Sequence, residues 1–227
     1  MDPTLRRQRL DAARLYFVCD AAADPGELDA LLGQALAAGV DVIQLRDKLA
    51  PARTLRAAGS LFAEAAAEHQ ALFIVNDDPE LAAACGADGV HLGQDDTAVD
   101  AARALIGDQS IVGLSTHRAE QLDAALAARG PARPDYVSIG PVWETPTKPG
   151  RPASGLDYVR YAHERATPAA MPWFAIGGID PANVGEVIAA GAERIVVVRA
   201  IRDAESPGRA ASSLREALPS EAGLNAG

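Results

Sequence analysis

Cysteine is scarce: 227 residues carry two, Cys19 and Cys85. Both lie in apolar surroundings and neither has a metal-type spacing. That excludes a disulfide framework and a cysteine-based metal centre. Two buried free thiols are expected, which suits a reducing compartment. Basic charge is also in deficit. A net charge of −10 and a pI near 4.8 argue against general nucleic-acid binding, which needs a basic face. An anionic ligand must then be held by a local cluster of Arg, Lys and backbone N–H groups. No run is long and apolar enough to span a membrane, and the stretch from Met1 to Arg14 has no secretory pattern. The expectation is a soluble, cytoplasmic protein, with no nucleic-acid or membrane partner and with homo-oligomer formation left open. The chain is long enough to bury a substantial core without disulfides. No Ser/His/Asp arrangement is indicated by spacing, so no nucleophile is proposed.

What is present is alternation. Apolar, often β-branched runs near 15–19, 40–44, 72–75, 89–91, 111–113, 136–139, 173–175 and 194–198 read as strands. Ala/Leu-rich segments at 27–38, 52–68, 79–84, 99–105, 119–128, 156–165 and 181–190 read as helices, with a last one at 210–218. Unbroken runs such as Ile195-Val196-Val197-Val198 suit parallel strands buried on both faces. Asp24-Pro25, Asp78-Pro79 and Asp180-Pro181 each offer an N-cap before a proline at the first helical position. Gly39, Gly86 and Gly191 read as the C-terminal glycines. Eight strand–helix units in this length predict an α/β fold, a single (β/α)8 TIM barrel. Its expected span is 14–218, with an N-terminal extension at 1–13 and a mobile tail at 219–227.

Polar residues collect where the strands end. Gln44, Arg46 and Lys48 follow strand two, with Asp47 as a neutralising neighbour; a solvated strand end is the plain alternative. Asn76 and Asp77 follow strand three, while Asp78 is read as a helix cap. Asp95 and Asp96 follow strand four, and one of them could cap the next helix. Two carboxylates on one rim, with substrate phosphate oxygens and waters, make an ordinary Mg²⁺ site. Ser115-Thr116-His117 follows strand five, and one hydroxyl is expected to cap the next helix. His91 is read as a packed, hydrogen-bonded core histidine, His117 as a rim residue, and His69 and His163 as helix-surface positions. Gly177 and Gly178 after strand seven let backbone N–H groups approach a phosphate. Val198 and Arg199 end strand eight, and loops seven and eight often form a phosphate site in such barrels. The segment from Gly140 to Gly155 is long, with four prolines and three glycines. Lys148 within it could fold over the pocket and pair with a leaving phosphate.

Taken in order, these stretches resemble thiamine phosphate synthases. The resemblance is carried by Gln44-Leu45-Arg46-Asp47-Lys48, Val75-Asn76-Asp77-Asp78, Gly89-Val90-His91-Leu92-Gly93-Gln94-Asp95-Asp96, Gly113-Leu114-Ser115-Thr116-His117, Gly140-Pro141 ahead of Thr145-Pro146-Thr147-Lys148, and Ala175-Ile176-Gly177-Gly178-Ile179. It implies a barrel transferase of thiamine biosynthesis. Such an enzyme couples a hydroxymethylpyrimidine diphosphate to a thiazole phosphate and releases pyrophosphate, with Mg²⁺. It further implies that Gln44, Leu45, Arg46, Asp47, Lys48, Asn76, Ser115 and Lys148 contact the pyrimidine diphosphate. Arg46, Lys48, Lys148 and Ser115 would be the catalytic groups, and Asp77 and Asp96 would hold Mg²⁺. Thr145, Pro146, Thr147, Gly177, Gly178, Val198 and Arg199 would hold the thiazole phosphate. The family often has Ser where this chain has Arg199. Two other readings stay open at this point. One is a thiazole tautomerase of the same superfamily, which would not need the metal pair or the diphosphate cluster. The other is a sensor that binds product without turnover.

Overall fold

In the computed structural model, which describes residues 2–21, 24–145, 150 and 152–219, eight parallel strands close into one barrel. They are β1 (Leu15–Cys19), β2 (Val42–Leu45), β3 (Leu72–Asn76), β4 (Gly89–Leu92), β5 (Ile111–Thr116), β6 (Tyr136–Ile139), β7 (Trp173–Ile176) and β8 (Ile195–Val197). Each pairs with its neighbour in sequence, and β1 pairs with β8 to complete the ring. Helices α2 (Pro25–Ala37), α3 (Ala52–His69), α4 (Pro79–Ala84), α5 (Val99–Ile106), α6 (Ala119–Ala127), α7 (Gly155–Ala166), α8 (Val184–Ala189) and α10 (Pro207–Ala217) follow β1 to β8 in turn. The helix ahead of β1 is α1 (Pro3–Ala12), and a short α9 (Arg199–Arg202) follows β8. Among the described residues no helix is long and apolar enough to cross a membrane.

Both strand faces are buried, which explains the unbroken apolar runs. On β1, Leu15, Phe17 and Cys19 pack in the larger cluster, together with the helices. Tyr16 and Val18 belong instead to an inner cluster with Val42, Leu72, Ile74, Ile111, Tyr136, Phe174 and Val196. The period of two therefore sends every second residue into the barrel interior. Tyr16 and Tyr136 each meet Phe174 edge-on, ring centroids 5.6 Å apart. These three rings form an aromatic layer across the interior.

Residues 3–12, expected as an extension, form a helix. Asp2 caps it, accepting from Thr4 N and Leu5 N, with Pro3 in its first turn. Leu10 is buried in the inner cluster. Arg6 pairs with Asp88 at 3.0 Å and Arg7 pairs with Asp135. These acids precede β4 and β6, so α1 lies across the N-terminal end of the barrel. Asp135 also pairs with the buried Arg103 at 3.1 Å, which donates to the carbonyls of Ser110, Pro131 and Arg133.

The caps at Asp24 and Asp78 are as the sequence predicts. Gly39, Gly86 and Gly191 have positive φ at the ends of α2, α4 and α8. Helix α8 starts at Val184, not at Pro181, because Asp180 closes a turn first. It accepts from Ala182 N and Asn183 N, while Asn183 Oδ1 accepts from Asp180 N. Both thiols are free; Cys19 is buried, but Cys85 is only partly so.

Candidate active site

All eight strands present their C-terminal ends on one face, and a cavity of about 340 Å³ opens there. Alternation builds its wall. Gln44 and Arg46 of the β2 end, Asn76 of β3, His91 of β4, Ser115 of β5, Ser138 of β6 and Ile176 of β7 line it, with Tyr16, Val18 and Val196 also on the wall. The polar ones among them are tied together. Gln44 Nε2 donates to Tyr16 Oη at 2.6 Å. Tyr16 Oη lies 3.0 Å from Tyr136 Oη, which lies 2.9 Å from His91 Nδ1. His91 Nε2 sits 2.9 Å from Ser115 Oγ and 3.3 Å from Ser138 Oγ. His91 is thus the buried, hydrogen-bonded histidine that the sequence suggests, and it also faces the cavity. His117 is on the rim, its Nδ1 2.6 Å from Gly140 O.

Charge concentrates on the β2–β4 side. Lys48 Nζ is 2.8 Å from Asp77 Oδ2, and Arg46 lines the cavity next to them. Asp77 holds a left-handed φ of 63°, costing roughly 1 kcal/mol for a non-glycine residue. A backbone outlier of this kind at a strand end is a pointer to function. The Asp77 and Asp96 carboxyls are close enough to shift each other's titration. Burial pushes the Asp77 carboxyl up, but its interactions with Lys48 and Asp96 and the charges of Lys48 and Arg46 bring it below the ordinary range. Asp96 goes the other way: burial and the neighbouring Asp77 carboxyl raise it against the Gly93 amide and Lys48. Asp96 Oδ2 accepts from Gly93 N at 2.7 Å. Neither Asp95 nor Asp96 caps α5, whose N-cap is Ala98. Among the described residues no group of three or more His, Cys, Asp and Glu side chains is set to hold a metal. Two carboxylates do meet, and Mg²⁺ is commonly held by one or two carboxylates with water and substrate phosphate. The donor chemistry fits that ion.

The opposite wall comes from β7 and β8. Gly177 and Gly178 have φ of 111° and 69°. A Cβ on Gly177 would stand 2.4 Å from Pro141 Cβ, so only glycine lets the backbone reach the cavity there. Val198, Arg199 and Ala200 line the same side, with Arg199 exposed at the mouth as the first residue of α9. Thr145 also lines the cavity. Pro146, Thr147 and Lys148 lie outside the described residues.

Three members of the β2 run, Leu45, Asp47 and Lys48, do not line the cavity, and Lys48 is paired with Asp77 at its edge. Leu45 is buried in the outer cluster against the helices. Asp47 closes its own turn, accepting from Leu49 N and Ala50 N. Neither Ser115 nor Thr116 caps α6, since Arg118 holds that position without a side-chain bond. Ser115 is engaged with His91. Thr116 donates to Ser138 O and accepts from Tyr158 Oη. Sequence reasoning missed Tyr16, Tyr136 and Ser138. Their signal was the period of two, since Tyr16-Phe17-Val18 and Tyr136-Val137-Ser138 each put a polar residue on the inner face of an apolar run.

Comparison with known proteins was made against this geometry. The family model described as thiamine monophosphate synthase matches residues 15–201. The thiamine-phosphate synthase of Thermobifida fusca (strain YX) is 52% identical over 218 residues, covering 96% of this chain and 97% of that protein. The thiamine-phosphate synthase of Acidothermus cellulolyticus is 50% identical over 210 residues, covering 92% and 97%. Among solved structures, thiamine phosphate pyrophosphorylase from Pyrococcus furiosus is 32% identical with a TM-score of 0.78, covering 92% of this chain and 96% of that one.

Proposed function

Because the chain belongs to the thiamine monophosphate synthase family, we propose that the barrel mouth is where its thiamine-phosphate synthesis takes place, with Mg²⁺ held by Asp77 and Asp96. The activity is that of a transferase. The bond from the pyrimidine methylene carbon to the diphosphate oxygen breaks first, and the thiazole nitrogen then bonds to the pyrimidine-stabilised cation. The electron pair leaves with pyrophosphate. The observation that carries the reading is the Arg46, Lys48, Asp77 and Asp96 cluster, set on the rim above a polar pocket in a protein of net charge −10.

Each residue has a task in this reading. Gln44, Asn76 and Ser115 hold and orient the pyrimidine ring. Arg46 and Lys48 bind the diphosphate, Arg by directional paired donors and Lys as a point charge. Both offset the charge that grows on the leaving group, the kind of prearranged electrostatics that is usually the largest contribution to catalysis. Lys148 adds to that charge from the 140–155 segment. Bound at Asp77 and Asp96, Mg²⁺ would neutralise diphosphate charge. Thr145, Pro146, Thr147, Gly177, Gly178, Val198 and Arg199 take the thiazole phosphate, which aligns the nitrogen with the methylene carbon. A dissociative route needs alignment and charge stabilisation more than a general base. A cytoplasmic location agrees with two free thiols.

The test is incubation of the protein with both substrates and Mg²⁺, with thiamine phosphate followed by mass and EDTA as control. Product should depend on metal. Asp77→Ala and Asp96→Ala should each abolish Mg²⁺-dependent turnover while far-UV circular dichroism is unchanged. Full activity in both variants would remove the metal from these residues.

A further inference from the structure

The pyrimidine reading uses the two ends of a hydrogen-bonded chain and leaves its middle without a role. That chain runs from Gln44 through Tyr16, Tyr136 and His91 to Ser115, across the interior from β2 to β5. Both phenols are buried, at 1% and 0% exposure. Room for Tyr136 is provided by Gly113, where a Cβ would stand 2.5 Å from the phenol oxygen. We infer that this chain runs in one direction only, and that Tyr16, Tyr136 and His91 are positioning residues which present Gln44 to the pocket as an acceptor and Ser115 as a donor.

The number of protons available sets the direction. Burial pushes the ionisation of both phenols upward, so each keeps the one proton it can donate. The Gln44 amide nitrogen can only donate, so Tyr16 accepts from it and has its own proton to give to Tyr136, 3.0 Å away. Tyr136, now an acceptor toward Tyr16, has its proton left for His91 Nδ1. A phenol is also a better donor than a serine hydroxyl, so Nδ1 facing a phenol is the natural acceptor of the ring. His91 then carries its proton on Nε2 and donates it toward Ser115 and Ser138. Ser138 Oγ, 3.4 Å from Ser115 Oγ, can donate to it as well. Ser115 therefore accepts on its buried side and turns its hydroxyl proton to the pocket. At the other end the Gln44 amide is fixed with its nitrogen inward and its oxygen free to accept from a ligand.

An acceptor at Gln44 and a donor at Ser115 suit an aminopyrimidine, whose exocyclic amine donates and whose ring nitrogen accepts. They oppose the 4-oxo analogue, in which the amine is replaced by an acceptor and the neighbouring ring nitrogen carries a proton. This inference rests on the proposed placement of the pyrimidine at Gln44 and Ser115, but the direction of the chain can be measured without substrate.

The experiment has two arms. Nitrogen-15 NMR of His91 in the protein should find the Nε2–H tautomer, and Tyr16→Phe, which frees Tyr136 to donate or accept, should give a mixture of the two. A wild-type Nδ1–H tautomer would overturn the inference. In the kinetic arm, Tyr16→Phe and Tyr136→Phe should each raise KM for the aminopyrimidine diphosphate, and narrow the kcat/KM preference over the 4-oxo analogue, by about tenfold, as loss of one oriented hydrogen bond implies. KM for the thiazole phosphate should stay unchanged. An undiminished preference in both folded variants would equally overturn it. Gln44→Ala separates this inference from the reading beneath it. An unchanged pyrimidine KM in Gln44→Ala would refute the placement of the pyrimidine, while the tautomer still decides the direction of the chain.

Discussion

The Asp77 and Asp96 carboxyls are shifted in opposite directions, and the signs bear on cation binding. The Asp77 carboxyl is shifted below its ordinary range, whereas Asp96 is shifted up and takes a proton first as pH falls. Binding a divalent cation between them requires Asp96 to lose that proton. Mg²⁺ affinity should therefore be full above the raised Asp96 range. Below it, affinity should fall by about one order of magnitude per pH unit, as expected for displacement of one proton. Calorimetric titration with Mg²⁺ from neutral to mildly acidic pH checks this, and a flat profile would contradict it. For stability the two act oppositely. The contribution of Asp77 is present above the unfolded carboxylate pKa and is lost as pH falls through its lowered value. That of Asp96 is present in acid and is lost as pH rises through its raised value. At this scale much of the site was legible, because strand ends deliver their polar residues to one rim. Alternation along β2 puts Gln44 and Arg46 on one face, while Leu45 was included only through the family resemblance. Gln44 and Arg46 reach the cavity, while Leu45 turns outward to the helices.

Among elements, the dipeptide Asp-Pro marked helix starts at Asp24 and Asp78 and also marks one at Asp2. The third was passed over because α1 buries a single leucine, Leu10. Hydrophobic periodicity is therefore silent, and the helix is held instead by its cap and by the Arg6 and Arg7 ion pairs. Neither the pairs nor their partners on distant strands can be read from local sequence. Replacing Asp2 by Ala should cost about 1 kcal/mol of local stability. Hydrogen exchange at the α1 amides is the suitable probe, since fraying there need not unfold the barrel. Unchanged protection would mean that the ion pairs alone maintain the helix. The late start of α8 has a similar origin: Asp180 does cap, but Asn183 reciprocates and closes a turn before the helix begins.

At the scale of the whole molecule the barrel has one end for chemistry and one for cohesion, as is usual for this fold. Ring closure was legible from eight repeats of strand and helix. The buried salt-bridge network at the N-terminal end was not, because Arg103 is a helix residue whose partners come from three other segments. Arg103→Ala would leave four acceptors short of a donor, among them Asp135. Loss of roughly 3–5 kcal/mol is expected for breaking a buried pair from one side, read from urea unfolding. A change under 1 kcal/mol would show that Arg7 suffices for Asp135. The aromatic layer of Tyr16, Tyr136 and Phe174 has a further consequence. Among the described residues it closes the floor of the cavity, so on the proposed placement both substrates would enter and both products leave at the mouth. On the placement proposed above, a pyrimidine resting on the polar chain would lie deeper than a phosphate at Gly177 and Arg199. Occupancy would then have an obligatory sequence: the diphosphate loads first, the thiazole phosphate seals it in, and a thiazole phosphate that arrives early becomes a dead-end inhibitor. Initial velocities should thus show substrate inhibition by the thiazole phosphate that high pyrimidine diphosphate relieves, and a random-order pattern would rule out the single entrance.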